Sequence, residues 1–204
     1  MNKTIIDIET DGLDPTKIWL AACKDINSDF VKVCFNREEL LKTIANTDIF
    51  IGHNILGFDL PYLKKLWDID IDYRKVEDTL VLSTLFYPER KGGHSLRQWG
   101  VRLKNEKGEH TDWSKLTSDM ISYCIQDVRL TDQVYKHLLS CEKEDFSDRS
   151  IELEHMIKHI ITQQERKGFY LNEKKTHMIL SEIKSKSDEI LLEVRQEIKP
   201  SVRL

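Results

Sequence analysis

The spacing of hydrophobic and polar residues changes along this chain and divides it into a strand-rich beginning and a helical remainder. Short apolar or β-branched runs between turn signals predict four strands, at about 4–8, 19–24, 30–35 and 48–51. Apolar residues on one face predict helices at about 37–45, 60–67, 79–86, 95–101 and 118–139, with a polar loop at 102–113. This order favours an α/β or α+β layer architecture with a mixed sheet.

A change in composition near CEKEDFSD, residues 141–148, predicts a domain boundary, with one domain at 1–145 and a helical segment at 146–204. In that segment two long amphipathic helices are predicted, at about 149–167 and 173–199, with Gly168 ending the first and Asn172 capping the second. Two helices with one apolar stripe each cannot close a core, so we expect them to dock on something larger.

The length and charge of the chain limit the function classes. With 204 residues the chain can bury one sizeable core. Its net charge of −4 argues against a protein that coats DNA without sequence preference, but not against an enzyme whose cations supply positive charge. The start, MNKTIIDIET, has acids where a signal peptide needs an apolar core, and no apolar run approaches a membrane span. We therefore expect a soluble, cytoplasmic protein with no membrane partner.

The four cysteines, Cys23, Cys34, Cys124 and Cys141, form no CxxC pair and lie near no paired histidines. This spacing argues against structural zinc and against a disulfide framework. We expect them to be ordinary buried small residues.

Three short motifs carry acids that could perform chemistry. Asp7 and Glu9 end the first strand, where alternation sends both carboxylates to one side. Asp59 follows the fourth strand and opens a helix. Tyr123 and Asp127 share one face of a long helix, one turn apart. Each motif alone has a plain structural explanation, such as a solvated strand end or a helix cap. Their order and their placement together are what indicate a site.

Together these motifs resemble those of the DEDD exonuclease superfamily, in its tyrosine branch, because the third reads Y-x₃-D and not H-x₄-D. Longer stretches are similar, in the same order, to family A DNA polymerases of the podophage type: DTLVLS (78–83), GHSLRQWG (93–100), YCIQDV (123–128) and QERKGF (164–169). The resemblance implies an RNase H-like mixed five-stranded sheet flanked by helices and followed by two C-terminal helices. It also implies a phage-encoded protein that proofreads DNA in a bacterial host.

The resemblance further implies a site for two divalent ions, Mg²⁺ with Mn²⁺ as the alternative ion. Asp7 should bridge both ions, Glu9 and Asp127 should complete the ion on the nucleophile side, and Asp59 should hold the second. Tyr123 should orient the attacking water, since a phenol with an ordinary pKa near 10 is a poor base at neutral pH.

Substrate contacts are also implied by the resemblance. Leu13 matches an apolar wedge against the terminal bases, and the Thr10 backbone should lie near the terminal sugar; Leu13 as ordinary core is the alternative. Asn54 matches a residue of the strand channel, although a local turn hydrogen bond explains it equally well.

Two other groups have simpler explanations. The first is a basic stretch that contains Arg90, Lys91, Arg97, Arg102, Lys104 and Lys107. It could guide the phosphates of a single strand. The favoured explanation is that Leu96 and Trp99 belong to the core and that the charges are solvated. His155 and His159 have metal-site spacing without the H-E-x-x-H glutamate, which favours a surface or interface.

The leading hypothesis is hydrolysis of single-stranded or frayed DNA from its 3′ end, releasing 5′-monophosphates. A 3′ exoribonuclease is the first alternative, and a non-catalytic module that holds the strand for a separate polymerase subunit is the second. The residues at 146–204 resemble the start of a polymerase domain, and the polymerase's own carboxylate motifs have no counterpart before Leu204. We therefore expect a polymerase domain or subunit as partner, and no DNA synthesis by this chain.

Overall fold

A mixed five-stranded sheet in the order β3-β2-β1-β4-β5 forms the centre of the structure, a computed structural model described for residues 1–105, 108, 110–143 and 145–198. The strands are β1 (Lys3–Thr10), β2 (Ile18–Asp25), β3 (Val31–Cys34), β4 (Ile49–Gly52) and β5 (Val76–Asp78). The α-helices among the described residues are α1 (Arg37–Ile44), α2 (Asp59–Trp67), α3 (Thr79–Phe86), α4 (Leu96–Arg102), α5 (Ser118–Cys141), α6 (Asp148–Lys167) and α7 (Glu173–Glu197).

The sheet combines both kinds of strand pairing. β1, β2 and β3 form an antiparallel meander, while β4 pairs in parallel with β1 and β5 in parallel with β4. A parallel connection needs a crossover, and α1 and α2 lie in the connections that lead to β4 and β5. The predicted α/β class with a mixed five-stranded sheet is confirmed.

Each face of the sheet is covered by its own hydrophobic core. Alternate residues of β1 enter different cores: Ile6 and Ile8 pack with Leu40 of α1 and Leu63 of α2. Ile5 points to the other side and packs with residues of α3, α4 and α5, including the buried Trp99. The period of two along a strand therefore decides which helix layer each side chain of β1 meets.

The predicted helices 37–45, 60–67, 79–86, 95–101 and 118–139 correspond to α1 to α5, with ends that differ by at most two residues. Side-chain caps explain several starts: Ser95 accepts from the backbone N–H of Gln98 ahead of α4, and Thr117 from that of Met120 ahead of α5. The pattern of the sequence missed β5, because Val76–Asp78 is only three residues long and contains two acids.

The chain divides into two compact units, Met1–Glu165 and Arg166–Leu204. The first unit extends past the predicted boundary at 145, and the likeness of 146–204 to a polymerase domain stays a prediction. Gly168 follows α6 with φ +69°, and Asn172 caps α7 by accepting from the N–H of Lys175. No residue of α7 is buried. Within the described ranges, no helix is both long and apolar enough to pass through a bilayer.

All four cysteines are free. Cys23, Cys34 and Cys124 are buried as predicted, but Cys141 is exposed, so that prediction is wrong for Cys141. The reason is its position as the last residue of α5, where the helix leaves the core.

Candidate active site

The end of β1 presents two acids on one face of the sheet. Asp7 and Glu9 follow Ile5 at intervals of two, so all three point toward the layer that contains α5. Ile8 between them is buried in the opposite core. Parallel pairing with β4 stops at Ile5, and β1 continues beyond it beside β2 alone. The acids thus lie at an open strand end, where Glu9 is 5% exposed and Asp7 is partly buried.

A tight turn after β4 delivers the third acid. The N–H groups of Gly57 and Phe58 both donate to the carbonyl of Asn54, at 3.0 and 2.9 Å. Asn54 has φ +62°, a left-handed conformation that asparagine tolerates better than most residues. A Cβ at Gly57 would lie 2.4 Å from Oδ1 of Asn54, so a larger residue there would force the Asn54 amide to move. Asp59 then begins α2.

Asp59 is bound directly to the strand that carries the first two acids. Its Oδ1 accepts the backbone N–H of Ile8 at 3.0 Å, and the residue is 4% exposed. Burial raises the pKa of Asp59 well above its usual value, and the negative charge of Asp7 raises that pKa further. A cation between these carboxylates would favour their ionised forms, so the donor set fits a divalent metal.

The helix α5 completes the acidic group from the other side. Asp127 is 3% exposed, and Tyr123 lies one turn before it. The thiol of Cys124 lies 3.4 Å from Oδ2 of Asp7, to which it donates. Ligand atoms of Asp7, Glu9 and Cys124 all lie within 4.8 Å of one another. Burial raises the pKa of Cys124 well above its usual value, and the nearby charges of Asp7 and Glu9 add to the rise, so the thiol stays protonated and acts as a donor.

All of the predicted catalytic residues line two adjoining cavities of about 450 and 870 Å³. Asp7, Glu9, Tyr123 and Asp127 line the smaller cavity, and Asp7, Asp59 and Tyr123 line the larger one. The residues common to both cavities are Asp7, Ile8, Leu13, Phe58 and Tyr123. The structure therefore brings the strand end, the helix start and the helix face to one cleft, as the sequence predicts.

The three predicted substrate residues also border the cleft. Thr10 lines the smaller cavity and Asn54 the larger, while Leu13 lines both. Leu13 is 91% exposed, which contradicts the alternative that it belongs to the core. Asn54 forms the turn described above, so the local explanation of this residue holds whether or not it also contacts a strand. Binding roles for the three residues stay predictions.

Aromatic residues at the mouth of the cleft were not predicted. Phe58 and Trp113 line the smaller cavity, and the Trp113 ring lies edge-on to the Tyr123 ring with centroids 5.8 Å apart. The indole N–H of Trp19 donates to the Trp113 carbonyl at 3.1 Å, which fixes this segment to β2. A tryptophan in a polar segment was the available signal, because so large an apolar side chain usually has a binding or packing role.

The histidine pair on α6 divides into two different environments. His155 is 5% exposed, and its Nε2 accepts the backbone N–H of Asp78 at 2.8 Å. The prediction of a surface or interface is therefore wrong for His155. His159 is partly exposed and stacks on Tyr73, with ring centroids 4.2 Å apart. Asp78, which begins the DTLVLS stretch but was assigned no role from the sequence, is fully buried beside the turn that precedes Asp59.

Two arginines of the basic stretch have structural roles, so the expectation that the charges are solvated is wrong for them, while Lys91, Arg97 and Lys104 are exposed as expected. Arg90 forms an ion pair with Glu142, and Arg102 donates to the Gly93 carbonyl at 2.6 Å. Both guanidinium groups lie over the buried Trp99 ring. Arg97 is different because it lines the larger cavity. Lys107 lies outside the described residues.

No protein-family model matches the sequence. The DNA-directed DNA polymerase of Escherichia phage T7 is 25% identical over 72% of the chain, and that of Enterobacteria phage T3 is 25% identical over 70%. The chain spans only 29% and 28% of the lengths of these relatives. Brucella melitensis NrnC, solved with bound Mg²⁺, has a similar fold, with a TM-score of 0.65 at 19% identity over 81% of this chain and 86% of that chain. The chain is therefore homologous to part of the T7 and T3 DNA polymerases, and its sequence and fold are consistent with a DEDD exonuclease of the podophage polymerase type.

Proposed function

We propose that this chain is a 3′–5′ exodeoxyribonuclease that removes nucleotides from single-stranded or frayed DNA ends as 5′-monophosphates. The observation that carries the proposal is the meeting of acids from three separate elements in one cleft. Asp7 and Glu9 come from β1, Asp59 from the start of α2, and Asp127 from α5. Three of these carboxylates are at most 5% exposed, and bound cations would offset the cost of burying their negative charge.

Divalent cations, Mg²⁺ or Mn²⁺, are the proposed cofactors, and two ions fit the distribution of the acids. Asp7, Glu9 and Asp127 would hold one ion, and Asp7 with Asp59 the other. Carboxylate oxygens are the ligands that Mg²⁺ prefers. When bound, such ions lower the pKa of water and stabilise negative charge on the departing 3′ oxygen.

The protein's own groups would position the reactants. The hydroxyl of Tyr123, on the cleft wall one turn from Asp127, is placed to orient the attacking water by a hydrogen bond. Cys124 and the backbone N–H of Ile8 fix the carboxylates of Asp7 and Asp59 by donating to them. Because these donors are already in place, little reorganisation is needed when substrate binds.

The walls of the cleft suit an unpaired strand end. Leu13, Phe58 and Trp113 present apolar surface that could stack on or wedge against terminal bases. Asn54 and Arg97 line the larger cavity, where they could contact the sugar-phosphate backbone of the preceding nucleotides. The Thr10 backbone would lie near the terminal sugar.

DNA is proposed as the substrate, and a polymerase domain or subunit as the partner, because the curated relatives are DNA-directed DNA polymerases. Within that partnership the chain would proofread during replication. Two other outcomes are open to test: preference for RNA would indicate a 3′ exoribonuclease, and strand binding without cleavage would indicate a non-catalytic module.

The test uses 5′-labelled single-stranded DNA, the same sequence as RNA, and primer–template DNA with a paired or a mismatched 3′ end. Each is incubated with Mg²⁺, Mn²⁺ or a chelator, and released nucleotides are identified by mass spectrometry. We expect stepwise 3′ shortening of DNA, faster from mismatched ends and abolished by the chelator. An Asp70→Asn variant is the matched control, because Asp70 is an exposed carboxylate paired with Lys64. No Mg²⁺- or Mn²⁺-dependent cleavage by the wild type would overturn the proposal.

A further inference from the structure

A fully buried carboxylate supports the turn that leads to Asp59. Asp78 has no exposed surface, and it accepts backbone N–H groups from Asn54 at 2.8 Å, Leu56 at 3.1 Å and Leu80 at 2.9 Å. Two of these donors lie inside the turn, and the third lies in the first turn of α3. Burial raises the pKa of Asp78, and the three backbone hydrogen bonds oppose that rise. The carboxylate therefore ties the turn after β4 to the end of β5.

His155 holds the backbone of this same residue. Its Nε2 accepts the N–H of Asp78 at 2.8 Å, and its Nδ1 lies 2.8 Å from the carbonyl of Ile151, one turn earlier on α6. A carbonyl only accepts, so the proton is on Nδ1 and Nε2 is free to accept. Both ring nitrogens are then satisfied, and the 5% exposed ring is fixed at two ends.

We propose that His155 is a positioning residue for the exonuclease site. It fixes Asp78, Asp78 fixes the turn through Asn54 and Leu56, and the turn fixes Asp59, which is bonded to Ile8 of β1. This proposal rests on the proposed role of Asp59 as a metal ligand. The consequence is that α6, which begins beyond the predicted domain boundary at 145, contributes to the geometry of the metal site.

Two substitutions of His155 separate the effect of its hydrogen bond from the effect of its side-chain volume. His155→Leu fills similar space but offers no acceptor, so the Asp78 N–H stays buried without a partner. His155→Gln can place an amide oxygen near the position of Nε2 and accept the same N–H. His159→Ala is the matched control, because it removes the same ring from the same helix at a position that stacks on Tyr73.

The first measurement is amide hydrogen exchange by NMR on the metal-free full chain. We expect His155→Leu to accelerate exchange at Asp78, Asn54 and Leu56, and His155→Gln and His159→Ala to leave it near the wild-type rate. The second measurement is Mn²⁺ binding by calorimetry. Loss of a group that orients metal ligands typically weakens affinity by about 10-fold or more. We expect about that loss in His155→Leu, with recovery in His155→Gln.

Wild-type exchange rates and Mn²⁺ affinity in a folded His155→Leu would overturn the proposal. If His155→Leu does not fold, His155→Gln decides: wild-type behaviour supports the proposal, and weakened Mn²⁺ binding or faster exchange at Asp78 overturns it. The wild type is also assayed for cleavage. If the wild-type protein binds Mn²⁺ but does not cleave nucleic acid, the proposed function is refuted. The exchange rates would still test the role of His155.

Discussion

Two kinds of local structure place the groups of this site. Asp7 and Glu9 on β1, and Tyr123 and Asp127 on α5, are positioned by regular elements whose backbone hydrogen bonds exist independently of the site. Asp59 is positioned by an irregular turn, 53–58, whose backbone groups are bound by the buried Asp78. We therefore expect changes of the site residues on β1 and α5 to have little effect on folding. Changes in the turn should affect both folding and catalysis. The predictions that follow test this difference.

The largest effect is expected on the strand side. Asp7→Ala removes the carboxylate that lines both cavities, and the loss of about 4 kcal/mol of transition-state stabilisation corresponds to a fall in kcat of roughly 10³-fold. The melting temperature should stay the same or rise, because a charge near Asp59 is removed. Steady-state kinetics and calorimetry check this, with Asp70→Asn as control. An Asp7→Ala variant that is active with Mg²⁺ would contradict the assignment.

The turn should respond differently. Asp78→Ala leaves the N–H groups of Asn54, Leu56 and Leu80 without their acceptor, so we expect the free energy of unfolding to fall by roughly 3 kcal/mol, together with activity. The control is Asp70→Ala, at an exposed carboxylate paired with Lys64, which should change stability little. Denaturant titration measures both. Equal stabilities of the two variants would show that Asp78 does not support the turn.

A glycine in the turn, compared with one in the connection after β1, gives a narrower test of the turn. Gly57→Ala would place a Cβ 2.4 Å from Oδ1 of Asn54 and force that amide to move, so we expect a loss of roughly 1 kcal/mol in the free energy of unfolding. Gly12→Ala meets nothing within 4 Å and should be close to neutral in stability. Thermal unfolding of both variants measures the difference. A stable Gly57→Ala with wild-type kinetics would mean that the turn is not constrained in this way.

On α5, Tyr123→Phe removes one hydroxyl at the cleft wall. Since an orienting hydrogen bond contributes less than a metal ligand, we expect kcat to fall about 10-fold while the free energy of unfolding is unchanged. The comparison with Asp7→Ala in one assay checks the ranking. A loss as large as that of Asp7→Ala would indicate that Tyr123 does more than orient water.

The smallest effect is expected at Leu13. Its side chain is 91% exposed, so Leu13→Ala should not alter stability. Loss of a contact with terminal bases, worth roughly 1 kcal/mol, should raise KM for single-stranded DNA about fivefold at unchanged kcat. Leu41→Ala on α1 is a control for removal of an exposed leucine. Equal KM values for the two variants would remove Leu13 from the substrate site.

The same division explains what the sequence could and could not predict. Alternation in β1 and the one-turn spacing of Tyr123 and Asp127 are local patterns, and the structure brings these residues to one cleft as expected. The connection from His155 to Asp78 joins residues 77 positions apart, and no periodicity indicates such a contact. β5 was missed for a related reason, since three residues stabilised mainly by pairing with β4 carry almost no pattern of their own.

The most direct test of the account is where Mn²⁺ binds. Crystals of the full chain soaked in Mn²⁺ and measured by anomalous scattering should show density beside Asp7, Glu9 and Asp127, and a second peak beside Asp59. In crystals of Asp7→Ala soaked in the same way, both anomalous peaks should be absent or strongly weakened. Mn²⁺ bound only outside this cleft, or peaks unchanged by Asp7→Ala, would contradict the claim that these four carboxylates hold the metal ions.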